Sequence, residues 1–302
     1  MLILPTSALR KNMKFAYFPG CKIDFYLKDY GISFKSIMKK LSVELVELPF
    51  NCCGYPARSD DYLTSIFSSI RNFALARKYD LDIITPCMCC YGQLQYASLQ
   101  WEQMEEQVEG LINGQPDNQP VDKSGSQTEN QTSEIKRVLN ALLAKDGLSW
   151  DGKTKIKHFL PFLYNDIGIQ NLKKRIKNRL PEKKVVTQYG CHALRPFTVT
   201  EFDNPHAPQI FEELISITGL KSVEWSKSTE CCGNPIHETS KSLSHKILNG
   251  KLNAAVKAKA DYICTACTHC QIQYSDLSFQ KECEKHNISP TLFTEILDSA
   301  ME

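Results

Sequence analysis

The chain has 302 residues, a formal net charge of +2 and 23% charged residues. That length supports one large or two medium domains with a buried core, and the balanced charge argues against nucleic acid as a partner. No apolar run reaches the roughly 20 residues that span a bilayer, and the start carries no export signal, so the chain reads as cytoplasmic.

Thirteen cysteines stand out against this background. In a reducing compartment such a content points to metal or redox chemistry rather than to a disulfide framework, and the odd count agrees. Met13 begins a more typical opening, so the first dozen residues read as an extension.

In chain order, the first short β-branched and aromatic run is KFAYF (14–18), which leads to Gly20-Cys21. VELVEL (43–48) leads to Cys52-Cys53-Gly54. Tyr62, Leu63, Ile66, Phe67, Ile70, Phe73 and Ala74 then recur at helical spacing. DIIT (82–85) follows and leads to Cys87-x-x-Cys90. Residues 113–134 contain a single apolar residue, Val121, and no aromatic, a composition expected of a mobile surface loop. Beyond it, Ile135, Val138, Leu139, Leu142 and Leu143 mark one face of a helix, and residues 157–178 bridge to the second half.

There the series repeats. KVVTQY (184–189) leads to Gly190-Cys191, Ile210, Phe211, Leu214 and Ile215 have helical spacing, and SVEW (222–225) leads to Cys231-Cys232-Gly233. DYICT (261–265) then leads to Cys267-x-x-Cys270. The two spacings from the vicinal pair to the C-x-x-C, 33 and 34 residues, agree closely enough to identify a duplication. Strands alternating with helices predict an α/β fold of two pseudo-symmetric units, each a small, mostly parallel sheet with flanking helices. The expected boundaries are 13–101 for the first unit, 102–183 for the insertion and helical linker, and 184–302 for the second. Ligands gather beyond the carboxyl ends of such strands, so three loops per unit can bring five thiols to one sheet edge.

An isolated C-x-x-C suggests structural zinc, but tetrahedral zinc closes on four ligands and each half offers five. Vicinal cysteines also strain a mononuclear site, whereas neighbouring irons can each take one thiolate. Soft thiolates in this number favour an iron–sulfur centre. A strained vicinal disulfide is a third possibility.

The double C…CC…CxxC pattern, with CCG in both halves and the bridge KHFLPFLYNDIGIQ…YGCHALRP, resembles the HdrB family, the B-type component of heterodisulfide reductase, which carries two cysteine-rich CCG domains. The resemblance covers nearly the whole chain from Met13, apart from residues 113–134. It implies two noncubane 4Fe–4S clusters, one held by Cys21, Cys52, Cys53, Cys87 and Cys90, the other by Cys191, Cys231, Cys232, Cys267 and Cys270. It further implies a small disulfide substrate cleaved between the clusters, an HdrC-like iron–sulfur subunit as electron donor and an HdrA-like flavoprotein in the same complex. A non-catalytic electron-transfer subunit and a zinc-stabilised scaffold are the competing functions. The residues after each CCG, YPARSDD and NPIHETS, depart from the Gly/Ala-rich sequence of the methanogen enzymes and are expected near the substrate cavity.

Three cysteines fall outside the repeated sets. Cys264 aligns with Ile84 and reads as a buried core thiol; Cys89 aligns with His269, and either can line the pocket; Cys283 has no repeat partner. His192, next to Cys191, is a weak candidate proton donor to a departing thiolate. Arg58 and Arg195 are candidates for pairing with an anionic substrate.

Overall fold

Short β-branched runs that are apolar on both faces belong in parallel sheets covered on both sides, and these form two of them. The computed structural model describes the backbone of residues 13–112 and 125–302, with side chains described except at 104–112 and 125–134. In the first half β1 (Met13–Tyr17), β2 (Val43–Glu47), β3 (Ile83–Thr85) and β4 (Ile156–His158) pair in the order β2-β1-β3-β4. In the second, β5 (Lys184–Gln188), β6 (Lys221–Ser222), β7 (Tyr262–Thr265) and β8 (Ser289–Leu292) pair in the order β6-β5-β7-β8. Every pairing is parallel, with Ala16 opposite Ile83 in one sheet and Val185 opposite Tyr262 in the other. The same order in both halves is the structural form of the duplication.

The repeat extends to local detail. Each vicinal cysteine pair is followed by a glycine in the left-handed region, Gly54 at φ 92° and Gly233 at φ 89°, and then by one short helical turn. A side chain that accepts from a backbone amide then starts a helix: Asp61 from Thr64 N at 3.0 Å for Tyr62–Lys78, and Ser240 from Leu243 N at 3.4 Å for Lys241–Lys257. Along the first of these helices Ile66, Ile70, Phe73 and Ala74 are buried, whereas Tyr62 and Leu63 face solvent.

Four features depart from the sequence expectation. Residues 125–134 belong to the helix Gly125–Lys145 rather than to a loop, and 113–124 lie outside the described residues. Burial of Leu139 and Leu143 anchors that helix, and propagation from an anchored turn needs little apolar surface. Val138, expected on the same face, is exposed. Each sheet also gains a fourth strand, because IKH and SPTL carry no strong β signal and take their conformation from β3 and β7. Finally, β6 stops at Ser222; the Trp225 indole donates to Thr187 O at 2.8 Å beside β5, where a longer strand would bond through its backbone.

The halves interleave. The chain leaves β4 into Phe159, which packs edge-on against Phe34 at 5.0 Å, and leaves β8 into Phe293, which packs edge-on against Phe211 at 5.4 Å. Phe159 and Phe293 meet at 6.1 Å between the halves. The helix Phe293–Ala300 lies against Lys28–Lys40 of the first half through a Ser33–Thr294 hydrogen bond of 2.8 Å and a Lys40–Asp298 ion pair of 2.9 Å. One continuous core therefore runs through both units. Among the described residues no helix is long and apolar enough to cross a membrane.

Candidate metal centre

Each cysteine group sits beyond the carboxyl end of a strand. Cys21 follows β1, Cys52 and Cys53 follow β2, and Cys87 and Cys90 follow β3; Cys191, Cys231/Cys232 and Cys267/Cys270 follow β5, β6 and β7. The folded chain joins all ten. Hydrogen-bonding contacts between sulfurs run Cys21–Cys52–Cys53–Cys90–Cys87 in one half and Cys191–Cys231–Cys232–Cys270–Cys267 in the other, and Cys87 contacts Cys267 across the junction. The outermost contact, Cys21 to Cys52, measures 3.8 Å. Among the described residues no three His, Cys, Asp or Glu side chains surround a single ion position. The thiols form one connected series with five sulfurs in each half, one more than a single tetrahedral ion takes, which suits centres of several metal atoms.

Burial is graded along the series. Cys21 is exposed, Cys52, Cys191 and Cys231 are half-buried, and the inner six are buried. Three sulfurs are disposed to be thiolates: the first member of each vicinal pair, and Cys87, where the opposing effect of burial is outweighed by contacts with Cys267 and Cys90. Hydrogen-bonding contacts with Cys21 and Cys53 hold Cys52 far below the ordinary thiol range, and contacts with Cys191 and Cys232 do the same for Cys231. Thiolate is the form that binds metal. The donor set and its protonation thus fit a sulfur-ligated metal centre in each half.

Small residues allow the close approach. A Cβ on Gly20 would lie 2.7 Å from the Cys90 sulfur, and one on Gly190 would lie 2.8 Å from Met88 Cβ. The Gly190 amide donates to the Met88 sulfur at 2.8 Å, and the Cys87 sulfur lies 2.9 Å from the Thr268 hydroxyl. Met88 and Thr268 are inter-unit contacts that the repeat pattern alone does not identify.

A cleft of about 990 Å³ opens beside the thiols, lined by Lys22, Tyr55, Arg58, His192, Asn234 and His269 among others. His192, Pro235 and His269 line both this cleft and the small space at Cys191, Cys232, Cys267 and Cys270. Both segments expected near a substrate cavity contribute to it: Tyr55, Pro56, Arg58 and Ser59 after the first CCG, and Asn234, Pro235, His237 and Glu238 after the second. The Tyr55 ring lies edge-on to His192 at 4.4 Å and to His269 at 5.7 Å, and Asn234 Oδ1 lies 2.7 Å from His269 Nδ1. Nothing in the sequence marks Tyr55 by itself, although it opens the YPARSDD segment.

The remaining candidates separate clearly. Burial, followed by the nearby His269 and Arg58 charges, pulls His192 down to about 4, so its ring is neutral at pH 7 and poorly suited to give up a proton. Arg58 stacks over Tyr96 at 3.9 Å and reaches the cleft. Arg195 is exposed and donates to Thr229 O at 3.0 Å, away from the cleft lining, which makes it a scaffold residue. Cys264 is a fully buried core thiol opposite Thr187 on β5. Cys283 is buried on the helix Leu277–Lys285, and Cys89 lines the space at the second thiol set.

Comparison with known proteins agrees with this architecture. The cysteine-rich CCG domain matches twice, over residues 15–95 and 185–275. A protein of Archaeoglobus profundus that is named as like the B-type component of heterodisulfide reductase is 31% identical over 271 residues, covering 87% of this chain and 81% of that one. The 8-methylmenaquinol:fumarate reductase membrane anchor subunit of Wolinella succinogenes is 27% identical, covering 90% and 84%. In fold alone, the chain is similar to a hypothetical protein from Helicobacter pylori, with a TM-score of 0.62 at 14% identity, covering 97% of this chain and about half (49%) of the other. With the domain present twice and the likeness extending over most of its length, the chain belongs to the CCG cysteine-rich domain family, among the HdrB-like proteins.

Proposed function

We propose that the protein is an iron–sulfur oxidoreductase subunit that reduces a small disulfide. The connected series of ten thiols, with an open cleft that shares His192, Pro235 and His269 with the space at the second set, carries this reading. Cys21, Cys52, Cys53, Cys87 and Cys90 would hold one noncubane 4Fe–4S cluster, and Cys191, Cys231, Cys232, Cys267 and Cys270 the other. When bound, the pair supplies the two electrons that cleaving a disulfide requires, received one at a time from an HdrC-like iron–sulfur subunit that is in turn served by an HdrA-like flavoprotein. The protein's own groups bind and orient. Lys22 and Arg58 place positive charge in a cleft that Glu238 and Asp276 also line, and these two cations would pair with the anionic ends of a substrate. Tyr55, edge-on to both His192 and His269, forms part of the cleft wall with them.

Anaerobically purified protein is expected to contain about eight irons and equal sulfide per chain and to release thiol from anionic disulfides when supplied with a low-potential electron donor. Stoichiometric zinc with negligible iron would refute the cluster assignment. Full iron content without thiol release from any disulfide tested would favour the second reading, a non-catalytic electron-transfer subunit. The likeness to a subunit named for a quinol:fumarate reductase supports that alternative.

A further inference from the structure

The two halves repeat each other down to single hydrogen bonds. Gln93 donates to Ser65 at 3.0 Å in the first half, and Gln273 donates to Ser244 at 2.8 Å in the second. Behind the thiols the likeness ends. Counting from equivalent cysteines, Phe18, Leu94 and Asn72 occupy the positions of Gln188, Tyr274 and Lys251. All six side chains are buried. In the first half, two are apolar and Asn72 bonds only to backbone groups and Asn51. In the second, all three are polar and joined: Lys251 Nζ donates to Gln188 Oε1 at 2.6 Å, and Tyr274 donates to the same oxygen at 2.8 Å.

Lys251 is only 1% exposed, and a lysine this deeply buried is rare without a purpose. Its nitrogen also donates to Lys227 O at 2.9 Å and Glu230 O at 3.0 Å. With Gln188 Oε1 that makes three acceptors, matching the three N–H bonds of an ammonium; a neutral amine would turn a lone pair toward one of these oxygens. The Trp225 ring, 5.3 Å away, adds a further cation-stabilising face. Burial lowers its pKa below the ordinary lysine value, and charges on Cys270, Cys232, Glu230 and Cys231 offset part of that fall; the three acceptors are what hold the ammonium form. The positive groups of the first half are placed differently: Lys22 stands at the open cleft, and Arg71 is paired with Asp146 at 2.7 Å.

We propose that Lys251 is a potential-setting residue, a fixed buried cation that makes the second centre easier to reduce than the first and so imposes an order of electron arrival on two otherwise matched sites. The physical basis is that adding an electron to a centre is favoured by a nearby positive charge, most strongly where water is excluded. The proposal rests on the cluster assignment above, and it explains why a duplicated chain abandoned its symmetry at these three positions.

The test is a potentiometric titration followed by electron paramagnetic resonance, with the two signals assigned through cysteine variants. In Lys251→Gln the second centre should need a lower potential: at the wild-type midpoint its reduced-to-oxidised ratio should fall at least about tenfold, equivalent to about 59 mV for one electron. The first centre should not move. Lys251→Arg should restore most of the shift. Gln188→Glu, which neutralises the ammonium without removing it, should reproduce the fall and decides the matter if Lys251→Gln does not fold. Two intact signals with an unmoved second midpoint in Gln188→Glu would overturn this proposal and leave the cluster assignment standing. Absence of both signals from the wild-type protein would overturn both.

Discussion

Cys52 and Cys231 are each lowered toward thiolate by contacts with two neighbouring sulfurs, and each set of five comes from loops of a single sheet. Cys53→Ser should therefore damage one centre and Cys232→Ser the other, with iron falling by roughly half in each, because a hydroxyl is a harder and weaker ligand for iron. Cys283→Ser should leave both intact. Iron analysis with electron paramagnetic resonance on each variant checks this, and equal loss of both signals from either single change would show that ligands are shared. His158 offers a separate test. Its Nδ1 accepts from Leu160 N at 3.1 Å, and Nε2 lies 3.1 Å from Pro86 O, so a neutral ring protonated at Nε2 satisfies both partners. Burial lowers its pKa from 6.5 to about 4. The folded state thus binds the proton more weakly than the unfolded chain, and stability should be complete above about pH 6.5 and fall between there and about pH 4. The loss is about 3 kcal/mol. Denaturant unfolding at stepped pH measures it, and in His158→Gln that part of the slope should vanish.

The strands that carry the cysteines were readable because short β-branched runs, most of them followed directly by Gly or Pro, are a strong local signal, and five of the six expected runs form strands within a residue or two of where the pattern placed them. SVEW is the exception, since β6 closes after two residues. IKH and SPTL carry no such signal, and only a neighbouring strand makes them β. One helix position shows how closely the elements are fitted. A Cβ on Gly92, in the helix Met88–Ile112, would lie 2.1 Å from the His192 carbonyl oxygen. Gly92→Ala must push the halves apart, and overpacking of this kind costs about 1–3 kcal/mol. A thermal midpoint lowered by several degrees is expected, with iron content reduced in both centres; an unchanged midpoint would mean that the two helices slide freely past each other.

The aromatic contacts Phe34–Phe159, Phe159–Phe293 and Phe293–Phe211 bind the two units into one core. The chain should accordingly unfold in a single cooperative transition despite its internal repeat. Scanning calorimetry alongside tryptophan fluorescence tests this, and two resolved transitions would show the units to be independent. By itself the sequence determined the duplication, the ten repeated thiols and the parallel α/β character, because cysteine spacing and strand pattern are local properties of the chain. It also pointed to the two segments after the CCG motifs that come to line the cleft. Tertiary structure alone decided that Cys87 meets Cys267, that Tyr55 lies edge-on to both His192 and His269, and that Lys251 is sealed beneath the second thiol set. Those arrangements depend on how two sheets pack and which side chains lose their water. Spacing along a chain does not encode such distances; the burial of Phe159, Phe211 and Phe293 between the units enforces them.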